Sequence, residues 1–364
     1  VASTAEASAA AEVLVAAHEG TSPGGGARAV DSTRFGRERT VAIQAVRAAA
    51  SLCRAVRGSL GSSGATQTAT KADRSPVTVA DLGSQALISL ALAEAFPEDP
   101  LVGEEDSRAL AAGPGSLAAA VLARVRAERP AIELGTIAEA LDRGRADGGP
   151  SGRWWTVDPV DGTKGFLRGG QYAIALALLE DGAVVLGVLG CPALAADPGD
   201  PSDIPGCLFV AERGVGTWQL GLWPETDAIA HRVRVAEVAD PRFARTAESV
   251  EAGHSDADVT SMIRARLGIT APPLRMDSQA KYAAVARGDA SIYLRVPHGG
   301  YRENVWDHAA GWLVVSEAGG TVTDIAGRPI DFTRGRRLLG NRGILAAPPA
   351  IHAAVLEAAR DVPG

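Results

Sequence analysis

The sequence predicts a mixed α/β protein, built either as two domains or as one large layered unit. Three observations lead there. The chain has 364 residues, 46% of them hydrophobic, which is enough for a sizeable core. Segments with apolar residues at helical spacing alternate along it with runs of strand-forming residues. Turn signals rich in Gly, Pro and Asp separate the two kinds.

Taken in order, residues 1–33 are Ala, Ser and Gly with little apolar pattern, as in TSPGGGARAV. They are expected to be disordered. RTVAIQAVRAAASLCRAV, residues 39–56, has the spacing of an amphipathic helix, and GSSGATQTAT after it reads as a mobile loop. Residues 78–95 form a second helix starting near a Thr/Asp cap. DPLVGEED ends a short strand in acid. Residues 107–150 are Ala-rich helical segments, expected to be a peripheral insertion. The strand RWWTV follows, and then QYAIALALLEDGAVVLGVLGCP, whose two β-type runs flank a hairpin signal at Asp181-Gly182. CLFVAERGVGTWQL adds another hairpin. Near the end, SIYLRV is a strand, and WDHAAGWLVVSEAGGTVTDI is a helix stopped by Gly319-Gly320 before a further strand. A boundary near residue 235 divides the chain into a disordered start (1–33), an α+β domain (34–235) and an α/β domain (236–364).

Composition narrows the function. A net charge of −7 over this length gives no reason to expect a nucleic-acid partner. No apolar run approaches the length of a membrane span. The three cysteines, Cys53, Cys191 and Cys207, are too few for a disulfide scaffold and point to a reducing compartment. Cys191 and Cys207 bracket a Pro-rich loop and could close it as a disulfide; two unpaired thiols in a sheet is the simpler reading. Only Lys71, Lys164 and Lys281 are lysines among 36 basic residues. In a chain so biased toward Arg, each lysine draws notice, because a compact ammonium acts as a point charge where a planar guanidinium does not. The Ala/Ser-rich start suits the remnant of a chloroplast or mitochondrial transit segment; a trimmed boundary on a cytoplasmic protein fits equally.

Acidic residues cluster at element boundaries: Asp81 in SPVTVAD, Glu104 and Glu105 in VGEED, Asp158 and Asp161 in DPVDGT, Asp307 in VWDHAAG. Singly, each has an ordinary explanation as turn chemistry, a helix cap or a solvated charge. Together they offer what Mg²⁺ requires, several hard oxygen ligands. Asp158 and Asp161 flank Pro159 in a tight turn, with the Val160 carbonyl as a further oxygen. The amides of Gly162 and Thr163 then open a helical turn suited to phosphate. A turn that binds metal through carboxylates and phosphate through amides is a site for metal-assisted phosphoryl transfer.

VGEE, DPVDGT and WDHAAG resemble the three metal motifs of the lithium-sensitive, magnesium-dependent phosphatases, the family of inositol monophosphatase. SPVTVADLGSQ, DPVDGTKGFLRGGQYAIALALLEDG, ESVEAGHS, DSQAKYAAVARGDASIYLR and GYRENVWDHAAG are most similar to its 3'(2'),5'-bisphosphate nucleotidases. The resemblance spans roughly residues 38–350. It implies a layered αβαβα sandwich with the site between two domains, the first carrying most metal ligands. It implies two or three Mg²⁺: Glu104, Asp158 and the Val160 carbonyl around one, Asp158, Asp161 and Asp307 around another. Asp81 and Thr163 would take the proton of the attacking water, and Gly162 and Thr163 would hold the departing phosphate. Ser278 and Lys281 would bind a retained 5'-phosphate, with Arg295, His254 and Tyr301 completing the nucleotide pocket. The substrate implied is adenosine 3',5'-bisphosphate, giving AMP, with 3'-phosphoadenylyl sulfate as a second substrate. An inositol (poly)phosphate phosphatase and a non-catalytic nucleotide sensor are the alternatives. Leu82 and Asn304 depart from the pattern, standing where an aromatic and a lysine are usual.

Overall fold

The computed structural model describes residues 34–63, 68–70, 76–112, 115–199, 205–226, 230–250, 257–297 and 301–360. Residues 1–33, with their expected disorder, lie outside the described residues. The others stack in five layers, helix on sheet on helix on sheet on helix.

The first layer holds α1 (Gly36–Ser63) and α2 (Val79–Ala95). Between them β1 (Thr68–Thr70) and β2 (Pro76–Thr78) pair antiparallel, so part of the expected loop is strand and α1 runs on to Ser63. Thr78 caps α2 in a reciprocal capping box with Asp81. Nearly every position of α2 up to Ser89 is buried, as befits a helix covered on all sides. Of three further helices, α4 (Gly115–Glu128) and α5 (Leu134–Asp142) pack on α2, and α3 (Arg108–Ala112) packs on α4. They are not peripheral. Leu117, Val121, Val125, Ile137 and Leu141 are fully buried in the same core as α1 and α2.

The second layer is a seven-stranded sheet whose strands lie in sequence order: β3 (Leu101–Gly103), β4 (Arg153–Asp161), β5 (Ala173–Glu180), β6 (Ala183–Cys191), β7 (Cys207–Glu212), β8 (Gly216–Gly221) and β9 (Ala230–Arg232). Only the β3–β4 pair is parallel. The β5–β6 hairpin turns on Asp181 (φ 47°) and Gly182 (φ 76°), both left-handed as a tight two-residue hairpin requires. Along β5 the side chains alternate: Ile174, Leu176 and Leu178 face the first helical layer, and Ala173, Ala175 and Ala177 face the middle one. Those alanines let the middle helices approach closely. At Gly187 on β6 the approach is closer still, since a Cβ there would lie 2.9 Å from the Ala310 carbonyl oxygen. Cys191 and Cys207 are register partners across β6 and β7 and stand as buried thiols.

The five-stranded sheet runs β11 (Leu274–Arg275), β10 (Thr246–Glu248), β12 (Ile292–Arg295), β14 (Ile344–Ala347), β13 (Thr321–Thr323). Two helices lie between the sheets, Ala280–Arg287 and Ala309–Glu317. After the short helix α6 (Thr163–Leu167) and the outer helix α7 (Ala257–Leu267), these are α8 and α9. Gly319, at φ 90°, follows the end of α9 as the sequence signalled. The last layer is α7 with α10 (Pro349–Ala359). Strand alternation separates the two cores: Tyr293, Ile344 and Ala346 face the middle layer, while Ile292, Leu294, Leu345 and Ala347 face α7 and α10. The chain therefore forms the expected αβαβα sandwich.

Candidate active site

The site begins with a fault in β4. Asp158 pairs with Ala175 and Asp161 with Ala173, so three steps along β4 match two along β5. One extra residue is accommodated, a bulge. In a regular strand, residues three apart point to opposite faces. Trp155 and Val157 face the first core before the fault, and Val160 faces it after. The extra residue thus turns Asp158 and Asp161 to the same side, toward the middle layer. Both line a cavity of about 220 Å³ there, together with Glu104 and Asp307.

Gly162 follows at φ 83°, and a Cβ there would lie 3.0 Å from Ser278 Cβ, so both backbone and space call for glycine. Thr163 opens α6. Its Oγ1 lies 3.1 Å from Asp81 Oδ1 and 3.2 Å from the Val160 carbonyl. The other Asp81 oxygen accepts from the Thr78 amide at 2.8 Å and from the Thr78 hydroxyl. Asp81 is thus both a helix cap and a member of the site, almost wholly buried.

Two glutamines that the sequence reading passed over hold the acidic elements. Gln85 on α2 accepts from the Glu105 amide at 2.9 Å and donates to the Glu105 carbonyl at 2.5 Å, fixing the loop that carries Glu104. The Gln279 amide donates to Asp161 Oδ2 at 2.6 Å, and its side chain ties the Trp306 carbonyl (2.9 Å) to the Gly311 amide (3.3 Å). For Gln85 the available signal was a polar residue inside otherwise apolar helical spacing; Gln279, at the N-cap of the helix Ala280–Arg287, gave none. Ser278 adopts φ 70°, a strained conformation for a serine, at the cavity wall. Asp307 Oδ2 accepts from both the amide and the side-chain nitrogen of Asn304, each at 3.2 Å.

On the same cavity, Lys281 donates to Ser249 Oγ (3.2 Å) and to the Met276 carbonyl (3.4 Å). Arg295 grips Glu303 through Nε (3.0 Å) and Nη2 (2.9 Å). Glu303 also meets His308 Nε2 at 3.0 Å, and His308 Nδ1 meets the Tyr282 hydroxyl at 2.8 Å. Glu303, Asp307 and His308 are close enough to share an ion, but these bonds occupy Glu303 and both ring nitrogens, making them a support for Arg295. Tyr301 stands half-exposed at the mouth, its ring 5.9 Å from the Arg295 guanidinium. His254 lies outside the described residues. Every other residue expected at the site reaches the cavity or, in the case of Asp81, touches Thr163 at its wall.

The electrostatics are those of crowded, buried acid. Burial, then Glu104, Asp161 and Asp307, push Asp158 well above the usual carboxylate range. Burial also raises Asp161, against the pull of Lys281 and Arg295. It pushes Asp307 up to about 6. Lys281 is lowered to about 8 by burial. Asp158 Oδ1 is buried without a hydrogen-bond partner among the described residues. Buried carboxylates crowded around one cavity, one oxygen unsatisfied, fit a hard divalent cation.

Comparison with known proteins agrees with this geometry. The sequence matches the Inositol monophosphatase family over residues 37–363. It is 45% identical to a 3'(2'),5'-bisphosphate nucleotidase of Oryza sativa, an alignment covering 90% of this chain and 94% of that one. A 3'(2'),5'-bisphosphate nucleotidase of Schizosaccharomyces pombe is 44% identical, with 89% and 95% covered. Among solved structures, the extragenic suppressor protein suhB of Bartonella henselae superposes with a TM-score of 0.60 at 21% identity, covering 89% of this chain and 99% of that one. An IMPase of Thermotoga maritima gives 0.60 at 23%, covering 88% and 95%. The layered sandwich, the three acidic motifs and the match over nearly the whole described chain agree: this protein belongs to the inositol monophosphatase family, whose members are generally metal-dependent.

Proposed function

We propose that the protein is a Mg²⁺-dependent, Li⁺-inhibited phosphatase that hydrolyses the 3'-phosphate of adenosine 3',5'-bisphosphate, giving AMP and inorganic phosphate, and that it also accepts 3'-phosphoadenylyl sulfate. The observation that carries the reading is a second anion site on the wall of the carboxylate cavity. Ser278, Lys281 and Arg295 line the same 220 Å³ as Asp158 and Asp161. A substrate with a single phosphate leaves this wall facing no anion; one with two phosphates uses both ends. The names of the relatives at 45% and 44% identity support the same choice.

In this reading Glu104, Asp158, the Val160 carbonyl, Asp161 and Asp307 hold Mg²⁺, two or three ions per site. Bound there, the metal supplies charge for the phosphoryl oxygens and lowers the pKa of water. The protein does the rest. Gly162 and Thr163 present backbone amides to the scissile phosphate at the start of α6. Water attacks phosphorus in line, and the bond from phosphorus to the 3'-oxygen breaks. The proton of that water passes to Thr163 Oγ1, whose own proton moves 3.1 Å to Asp81 Oδ1. A threonine hydroxyl is too weak a base to act alone, so Asp81 is the proton's destination. The departing 3'-oxygen takes a proton from solvent. Ser278, Lys281 and Arg295 hold the 5'-phosphate, which keeps the 3'-phosphate aligned.

Phosphate release from adenosine 3',5'-bisphosphate and from inositol 1-phosphate, with Mg²⁺ and with or without Li⁺, tests this. Fast, Li⁺-inhibited turnover of the nucleotide is expected. Turnover of inositol phosphate alone would discard the nucleotide pocket and favour the inositol phosphatase. Tight nucleotide binding with no turnover would favour a sensor, against which the intact Thr163–Asp81 pair argues.

A further inference from the structure

Of the three lysines, Lys71 lies outside the described residues, and the other two, Lys164 and Lys281, both line the catalytic cavity. Lys281 is buried and hydrogen-bonded. Lys164 is exposed, and its ammonium has no hydrogen-bond or ion-pair partner among the described residues. A structural ion pair would account for it without any ligand, but the carboxylate on that wall is already taken. Asp277 accepts from Arg168 at 2.5 Å and from the Val250 amide at 3.1 Å. The next residue, Gly165, packs directly against Asp277, with its Cβ position 3.0 Å from Oδ2. The first turn of α6 therefore borders the Ser249, Asp277 and Ser278 side of the cavity.

Charge shows what is missing there. Two phosphate groups bring roughly −3 to −4. The carboxylates at one end are matched by metal. At the other end Arg295 is bound through two nitrogens to Glu303, a pair that is neutral as a unit. Among the described residues at that end, Lys281 is then the buried cation not paired with a carboxylate, one charge against a dianion. We infer that Lys164 is a substrate-contacting residue, a movable cation that closes from α6 onto the phosphate the enzyme retains and selects bisphosphates over monophosphates. A flexible stem ending in a compact charge suits that task better than a guanidinium, consistent with lysine standing here in an arginine-rich chain.

The inference rests on the nucleotidase reading, and the test separates the two. Wild type and Lys164→Met are compared on adenosine 3',5'-bisphosphate and adenosine 3'-monophosphate, with Mg²⁺. Binding of AMP and of adenosine is measured by calorimetry on the same metal-loaded samples. The ratio of kcat/KM for bisphosphate over monophosphate is expected to fall about tenfold in the variant, mainly through KM. The ratio of AMP to adenosine affinity should fall by a similar factor. If both substrates lose activity in proportion, or both ratios stay unchanged, Lys164 does not contact the retained phosphate and the inference is overturned while the nucleotidase stands. A wild-type enzyme that turns over inositol 1-phosphate and neither nucleotide overturns both.

Discussion

Thr163 Oγ1 and Asp81 Oδ1 lie 3.1 Å apart, joining the turn after β4 to the first turn of α2. A proton-relay pair is thereby built from first-turn residues of two helices. Removing the hydroxyl in Thr163→Ala should lower kcat about 100-fold or more with a small change in Tm. Thr163→Ser keeps the oxygen and should retain most activity. Equal losses in the two variants would show that the methyl group, and not the hydroxyl, matters.

The buried acids give the metal-free protein a distinctive pH response. Burial pushes Asp307 from 3.8 up to about 6, so the fold favours its protonated form. That contribution to stability is fully present below about 3.8 and is lost as pH rises through about 6. A shift of this size corresponds to ~3 kcal/mol, with Asp158 and Asp161 acting in the same direction. In EDTA, Tm should therefore be higher at pH 5.5 than at pH 7.5. Saturating Mg²⁺ should restore the loss at pH 7.5, and Asp158→Asn should raise the metal-free Tm while abolishing activity. A metal-free Tm that falls on acidification over this range would contradict the assignment.

Gln85 predicts an effect from a residue that touches no substrate. It makes two hydrogen bonds to the backbone of Glu105 in a buried setting, and Gly103 and Gly144 leave room for it. Gln85→Ala should cost about 2–4 kcal/mol of stability by leaving the Glu105 backbone unpaired. It should also weaken Mg²⁺ binding roughly tenfold by loosening Glu104. Titration of activity against Mg²⁺ would show the second effect apart from the first.

Glu303 offers the matching case on the nucleotide side. Glu303→Gln leaves Arg295 in place but removes the negative charge that pairs with it and that meets His308. KM for adenosine 3',5'-bisphosphate should change severalfold, with a much smaller effect on kcat. A change confined to kcat would put Arg295 at the reacting phosphate instead.

Much of this arrangement is legible in the residues themselves. Asp181-Gly182 announces its hairpin because few residues accept left-handed backbone, and Gly319-Gly320 ends α9 for the same reason. The carboxylates of VGEED, DPVDGT and VWDHAAG stand out because acid at strand and helix ends has few structural uses in combination. Gln85 and Gln279 are hidden because a glutamine announces nothing until the backbone groups it satisfies are brought near. The helices of residues 108–142 read as peripheral because an Ala-rich amphipathic stretch looks the same whether its apolar face covers a flank or closes a core. Leu117 and Ile137 reveal their place only through α2. The bulge in β4 is invisible for another reason, since register belongs to two strands and not to one.

That bulge makes length matter more than residue identity in the two-residue spacer Pro159-Val160. Val160 contributes a carbonyl to the cavity while its side chain points into the opposite core, so replacing that side chain by another apolar one changes core packing and leaves the carbonyl in place. Deleting one residue between Asp158 and Asp161 would remove the extra step and leave the carboxylates two apart on one face of a regular strand, without the bulge that turns the Val160 carbonyl to the cavity. At Pro159 and Val160, insertions and deletions should therefore lower activity more than apolar substitutions do, and a library scanning both kinds of change at these two positions would show it.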